Sequence, residues 1–253
     1  VLSFLACTVR WLTPFIAKYR PEFQQYLSQT LNSKVHIDNL SASWYGIYPM
    51  IRLNHITAKS NSNNHTIFSI EQLSVGINLW KSLWQGSFQP GMLVINGAEI
   101  QLYKNKLGQY QLRGLDALSF ESNEHDLNDE KTAEYILDWL FQQSEVRLSN
   151  IYVQIKGKHL RVNSNIRRLK LINDDRGHHF EGSGALKNYS KSIIRMIGHL
   201  QGEKVKEFSG KFYISAKRMP MTLFNEIVIN NVFSLESGVA STELWGSVKP
   251  QVH

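Results

Sequence analysis

The chain has 253 residues, of which 42% are hydrophobic and 19% charged, enough to bury a substantial core and too polar for a membrane bundle. A single cysteine, Cys7, excludes an intramolecular disulfide and a cysteine zinc site. The net charge of +7 suits an acidic partner, but the basic residues are scattered, with short pairs such as Arg167-Arg168 and no dense run, so the excess reads as a solvated surface rather than a nucleic-acid footprint.

Val1–Ala17, "VLSFLACTVRWLTPFIA", is apolar apart from Arg10 and a few hydroxyls. It is shorter than the ~20 residues of a full span and reads as the trailing end of a membrane helix, with a buried amphipathic helix as the alternative. From Pro14 to Leu31, apolar residues recur at steps of three and four, a helical stripe in which Pro21 starts a second segment or kinks the first. Strands follow at Val35–Ala42 and Met50–Lys59, joined by "WYGIYP", and after the polar turn "SNSNNH" comes a strand over Ile67–Leu79. Trp80–Gly86 fits a short helical turn, Met92–Tyr103 a strand, and Tyr110–Leu112 its hairpin return. The run "ESNEHDLNDE" is an exposed acidic loop, and Lys131–Gln143 an amphipathic helix. Strands are expected near Val146–Lys156, His159–Val162, Ile166–Ile172, Phe180–Leu186, Lys211–Ala216, Ile227–Leu235 and Thr242–Val248, with a helix over Tyr189–Leu200.

One pattern recurs along these strands. In "LVINGAEI" from Leu93, apolar residues hold the first and third places, then the sixth and eighth, so the alternation slips by one. The same slip occurs in "VHIDNLSA" from Val35, "IRLNHITA" from Ile51, "FSIEQLSV" from Phe68 and "VRLSNIYV" from Val146, with a looser copy, "IVINNVFS", from Ile227. A one-residue slip moves the apolar set to the other face of a strand. Either a bulge absorbs the extra residue and keeps both halves on one core, or the strand crosses between packing layers. The Asn, Asp, Glu, Ser, His or Gly at the slip suits a kink, since these residues satisfy backbone groups locally or tolerate left-handed geometry. Successive kinked strands make a curved sheet with one apolar face, a trough; a two-layer sheet with helices on one side shows the same pattern.

Candidate chemistry is sparse. The adjacent His178 and His179 would point to opposite faces of a strand, and His36 and His159 lack partners at a ligand spacing, so no metal site is expected. Asp174-Asp175 before Arg176-Gly177 has the composition of a turn. Trp44, Trp80, Trp84, Trp139 and Trp245 read as core or interface anchors, and no nucleophile, phosphate-loop or metalloprotease motif is present. The reading is of a protein that is not an enzyme and needs no cofactor.

Tyr19–Ile56, "YRPEFQQYLSQTLNSKVHIDNLSASWYGIYPMIRLNHI", resembles the opening of the YhdP branch of the AsmA-like bacterial envelope proteins, including a turn carried here by Trp44, Gly46 and Pro49. Ile77–Leu115, Ile136–Ile155 and Gly210–Met219 continue the likeness, with Asn32-Ser33-Lys34 where a glycine is usual. The resemblance implies a protein anchored in the bacterial inner membrane by one N-terminal span, its body in the periplasm, that passes phospholipid between inner and outer membranes along an apolar β-groove. The expected partners are phospholipid, the inner membrane and other envelope proteins, with no nucleic acid. The alternative is a non-conducting structural or assembly module whose helices 131–143 and 189–200 seal the apolar face.

The expected fold is α+β and β-dominated, a curved, strongly twisted, mostly antiparallel sheet of trough form with a few amphipathic helices. Its sections are the membrane-helix end (1–17), an amphipathic helix (18–33), a first β-rich section (34–120), the acidic loop (121–130), and a helix with a second β-rich section (131–253) that continues further. The lipid-facing candidates are Ile51, Leu53, Leu93, Ile95, Ile100, Leu102, Val146, Leu148, Val153 and Ile155.

Overall fold

The computed structural model describes residues 13–31, 33–45, 48–61, 64, 66–78, 82–84, 86, 90–104, 110–112, 138–156, 161–187, 189–222 and 236–250. The membrane-helix end up to residue 12, Gly46, the acidic loop 121–130, most of the helix expected before residue 138 and the strand Ile227–Leu235 lie outside them. The chain divides into two compact units, residues 1–99 with 113–126 and residues 100–112 with 127–253. Strands dominate both, the sheet is open, and the strand pairs run antiparallel.

In the first unit a 3-10 segment, Thr13–Tyr19, leads into helix α1, Arg20–Thr30, with Pro21 in the first turn, where its missing N–H costs nothing. Four strands follow: β1 (Ser33–Tyr45), β2 (Tyr48–Ser60), β3 (Thr66–Ile77) and β4 (Pro90–Lys104), whose last residues pass into the second unit. Trp44 pairs with Pro49 and Tyr45 with Tyr48, closing the first hairpin around residues 46 and 47. Helix α1 stands in for a strand beside β1. Arg20, Gln24 and Ser28, four residues apart, share one side of the helix. The Arg20 guanidinium donates to the Asp38 carbonyl at 2.6 Å, while Gln24 Oε1 and Ser28 Oγ accept the N–H groups of Ile37 and Val35, each at 3.1 Å. An edge strand's free backbone groups are thereby occupied.

The slipped alternation now has a cause. Residues directly opposite on paired strands share a face. Ile37, Ile56, Ile70 and Ala98 form one row across the unit, and Leu40, Leu53, Leu73 and Ile95 the next apolar row, on the far side of the slip. Ile37, Leu40, Leu53 and Ile56 nevertheless pack in one buried cluster, with Leu27, Leu31 and Ile16 against it. The slip therefore keeps both halves of each strand on one core, as a bulge would, but without an inserted residue. Pairing of β1 with β2 keeps one register from Ser33↔Ser60 to Tyr45↔Tyr48, and neither β2–β3 nor β3–β4 shifts at this level. Left-handed residues do the turning: His55 on β2 (φ 50°) and Gly97 on β4 (φ 64°), facing the level of Asp38 and Glu71 on β1 and β3. A row of carboxamides, Asn39, Asn54, Gln72 and Asn96, runs beside the kink.

The second unit holds β5 (Tyr110–Leu112), paired with the end of β4, then β6 (Glu145–Lys156), β7 (Arg161–Asp174), β8 (Gly177–Leu186), β9 (Tyr189–Gln201), β10 (Ser209–Pro220) and β11 (Val239–Val248), each of the last six beside the next. Residues 161–162 of the strand expected at 159–162 belong with 166–172 to one strand, β7, residues 159 and 160 lying outside the described residues, and Asp174 to Gly177 make its hairpin turn to β8. Residues 138–142 are helical, consistent with the expected helix where it is described. The helix expected over Tyr189–Leu200 is instead strand β9. Ile193 and Ile197 lie on one face and Ile194, Met196 and Leu200 on the other, so apolar residues occupy both sides and imitate a helical period. Three β-branched isoleucines and an interior glycine weigh against a helix, and hydrogen-bonded strands flank the segment on both sides. The slip recurs on β6, where Asn150 is left-handed (φ 54°), and β7 follows it in register. Strand β8 has no slip, and there a bulge appears: β7 carries Arg167 as an extra residue between the pairs Ile166↔Gly184 and Arg168↔Ser183. Both devices named from the sequence are thus present, the kink in register where neighbours share the repeat and the bulge where they do not.

Gly97 meets two demands, a left-handed backbone and the Glu71 side chain lying where its Cβ would project. The carboxylate end of Glu71 can swing aside, whereas the backbone conformation cannot be relieved. Gly97→Val is expected to lower the unfolding free energy by about 2 kcal/mol or more, and Gly97→Asn by less than about 1 kcal/mol, because Asn tolerates the left-handed region. Urea denaturation of the two variants checks this; equal losses would refute the conformational cause.

Candidate apolar binding faces

In the first unit the apolar rows continue with Ala42, Ile51, Val75 and Leu93. Four sequence candidates, Ile51, Leu53, Leu93 and Ile95, therefore sit together in two adjacent rows, Leu53 and Leu93 buried and the others half-buried. Helix α1 covers the β1–β2 part of this face, but its second side, Tyr19, Phe23 and Tyr26, is exposed, Tyr19 and Tyr26 by 61% and 64%. Between that stripe and the sheet lies an open apolar groove of about 490 Å³, walled by Ile16, Tyr19, Phe23, Tyr26, Leu40 and Ile51, with Glu22 among its lining residues. The aromatic stripe was not singled out from sequence, because its spacing merges with that of Ile16, Leu27 and Leu31, which face the core.

In the second unit, Val146, Leu171, Phe180, Gly198, Phe212 and Gly246 form one row across six strands, and Leu148, Leu169, Gly182, Met196, Ile214 and Leu244 another on the same face. Beyond the kink, Ile151, Ile166, Gly184, Ile194 and Ala216 continue that face. The Phe180 ring lies over Gly198 and the Phe212 ring over Gly246, where a Cβ would collide with them. Rings laid along the sheet give a low apolar floor instead of standing ridges. Toward β11 the floor is open: Met196 is 36% and Leu244 53% exposed. At its other end Phe141 packs edge-on against His178 and the buried Phe208, Phe141 and His178 being half-buried.

Of the remaining candidates, Val146 is buried and Leu148 and Val153 half-buried on β6, Val153 opposite Ser164 and Ile155 opposite Val162. Ile100, half-buried, and Leu102, opposite Leu112, lie on the last part of β4. Sequence reasoning missed Leu169, Phe180, Met196, Phe212, Ile214 and Leu244. The available signal was the Phe or Met paired with Gly on alternate strands, hidden because β9 read as a helix.

The opposite face of the second unit is mixed, with an apolar row of Ile197, Tyr213 and Trp245 beside polar ones. Ser149, Arg168, Ser183, Arg195, Ser215 and Glu243 form a row, and Glu145 binds both Arg147 (2.6 Å) and Lys170 (3.7 Å). His178 and His179 do point to opposite faces. His178 bridges Asn173 Oδ1 and the Gly202 carbonyl, each at 2.7 Å, while His179 meets His199 ring to ring, Nδ1 to Nδ1 at 2.9 Å. In the first unit His36 and His55 both reach Asp38, at 3.1 and 3.5 Å. Among the described residues no group of three or more His, Cys, Asp or Glu is placed to hold a metal ion, and no helix is long and apolar enough to cross a membrane.

These features define an open antiparallel-sheet protein whose units each present an apolar face beside a polar one. The YhdP protein family matches the chain over residues 1–251, and the chain belongs to that family of AsmA-like envelope proteins. No curated protein and no solved structure matches it.

The β7–β8 turn carries a pH-dependent contact. The Arg176 backbone N–H, donating to Asp174 Oδ1 at 2.9 Å, and then its guanidinium, at 3.1 Å from Oδ2, hold the Asp174 carboxyl below its ordinary value. A carboxyl whose folded pKa is depressed stabilises the fold above its unfolded value, about 3.9, and loses that contribution as pH falls through the lower folded value. Asp174→Asn is therefore expected to be less stable than the parent at pH 7, by a small amount because the site is exposed, and equal to it in strong acid. Urea midpoints across that range check the convergence.

Proposed function

We propose that this chain shelters the acyl chains of phospholipid on its apolar sheet faces, as the N-terminal part of an inner-membrane-anchored periplasmic protein that passes lipid between the inner and outer membranes. The observation that carries the reading is the six-strand apolar floor of the second unit, open at Met196 and Leu244. An acyl chain gains about 0.8 kcal/mol for each methylene it hides from water, so such a floor holds lipid without directional bonds. No catalytic group is required, in keeping with a non-enzymatic family role. The sealed-module alternative placed two helices, 131–143 and 189–200, over this face; the second is itself strand β9 of the floor, and the first is described only from residue 138. In the first unit α1 covers the β1–β2 part of the apolar face, with the aromatic groove beside it.

Adjacent residues give the test. A photo-crosslinking amino acid at position 244 faces the apolar side, beside Ile214, and one at position 243 the polar side, beside Ser215, and Leu244 is 53% exposed. In the full-length protein within the bacterial envelope, position 244 is expected to yield phospholipid adducts and position 243 none. Ile214→Asp, beside Met196 on the floor, is expected to cut the adduct about tenfold by placing a charge in the apolar contact. Equal labelling at both positions would sink the reading.

A further inference from the structure

The pair Arg167-Arg168 has no part in the apolar floor. Consecutive side chains of a regular strand point to opposite faces, yet both arginines line one depression of about 640 Å³. The bulge accounts for this, since Arg167 is the extra residue of β7 against β8, and bulges re-aim side chains. Arg195 lines the same depression from β9, in the row Arg168–Ser183–Arg195. Two strand spacings, about 10 Å, separate the backbones of Arg168 and Arg195, and the small Ser183 between them leaves room above the sheet. Three other cations of this unit have anions at hand, Arg147 and Lys170 sharing Glu145 and Arg176 beside Asp174, while Lys191, Lys211 and Lys217, among the described residues, have no ion-paired anion. Among the described residues, Arg167, Arg168 and Arg195 have none within ion-pair distance. Glu181 is the carboxylate that lines the depression, so the lining leaves two positive charges unbalanced. Ile197 and Tyr213 add apolar surface to the wall.

We propose that this depression binds a phosphate monoester, its oxygens held by Arg167, Arg168 and Arg195 over Ser183 and its organic part against Ile197 and Tyr213. A monoester carries about −1.5 to −2 charges at neutral pH, which balances the lining, where a carboxylate or a phosphodiester supplies one. Guanidinium forks match phosphate oxygens in pairs. Met196 also lines the depression, whereas Leu169, Ile214 and Leu244 of the apolar floor do not, and the proposal does not rest on the lipid reading above. The monoester belongs either to a lipid headgroup or to a soluble metabolite.

The test uses the full-length protein, vesicles of phosphatidylcholine doped with phosphatidic acid, a monoester, or with phosphatidylglycerol, a diester, at equal mole fraction, and phenyl phosphate as the soluble probe. Phosphatidic acid vesicles are expected to bind more tightly, with Arg168→Gln together with Arg195→Gln weakening them by about tenfold, the worth of one charge-assisted hydrogen bond. Lys211→Gln, on the same face outside the depression, is expected to leave binding unchanged. Arginine-dependent binding of phenyl phosphate without vesicle binding assigns the site to a soluble ester. Equal affinity for the two vesicles, an equal loss in Lys211→Gln, or no binding of any probe overturns the proposal. Lipid adducts at position 244, on the floor and outside the depression, report in the arginine variant that the sheet is intact, so failure here and failure of the lipid reading are told apart.

Discussion

Neighbouring strands of an antiparallel ladder can change face at one level only if their pairing register survives the change. From β1 to β4 the register holds at the slip, so a kink in one strand obliges its neighbours to kink beside it. That is why the same eight-residue pattern recurs along the chain. Because successive strands run in opposite directions, the fourth residue of one repeat meets the fifth of the next. Asp38 and Glu71 therefore stand level with the left-handed His55 and Gly97, while Asn39, Asn54, Gln72 and Asn96 fall into a row of their own. Where the repeat stops, at β8, the mismatch is taken up by one bulged residue, Arg167.

Strand positions were largely legible because period-two alternation depends on local burial alone. The kink was legible too, since a slip in phase is visible without a structure, and the choice of Asn, His or Gly at the turning residue follows from left-handed geometry. What alternation could not show was whether the slip consumed a residue, because that depends on the neighbour's sequence as well as the strand's own. Strand β9 failed for a related reason. Ile193 and Ile197 sit on the face opposite Ile194, Met196 and Leu200, so apolar residues on both sides hide the alternation from a one-dimensional pattern. Half of the apolar floor went unread with it, because Phe180 and Phe212 find their partners in Gly198 and Gly246 only across strands.

Helix α1 shows how one short element serves two surfaces. Its apolar residues are divided: Leu27 and Leu31 enter the core cluster, while Tyr19, Phe23 and Tyr26 turn outward. Between them Arg20, Gln24 and Ser28 supply the hydrogen bonds that a further strand would have made to β1. A helix can replace a strand in this way because its four-residue spacing, about 6 Å along the axis, is close to the two-residue repeat of an edge strand, about 6.6 Å. The edge is thus blocked by side chains, and the aromatic groove follows from using the helix's polar side for that purpose.

The two faces of the second unit impose different kinds of recognition. Apolar contact is proportional to area and indifferent to position, so the floor from Leu148 to Leu244 singles out no one place along it. The flat packing of rings over glycines favours this, because it removes the ridges that would fix one position. The polar face is governed by direction and charge, and there the fold specifies particular side chains: Glu145 is shared between Arg147 and Lys170, and a bulge brings Arg167 round to the side of Arg168. A single sheet can carry both because its side chains alternate. The condition is that each strand keeps its phase with the next, and the repeated kink and the bulge at Arg167 serve this at the level of the slip.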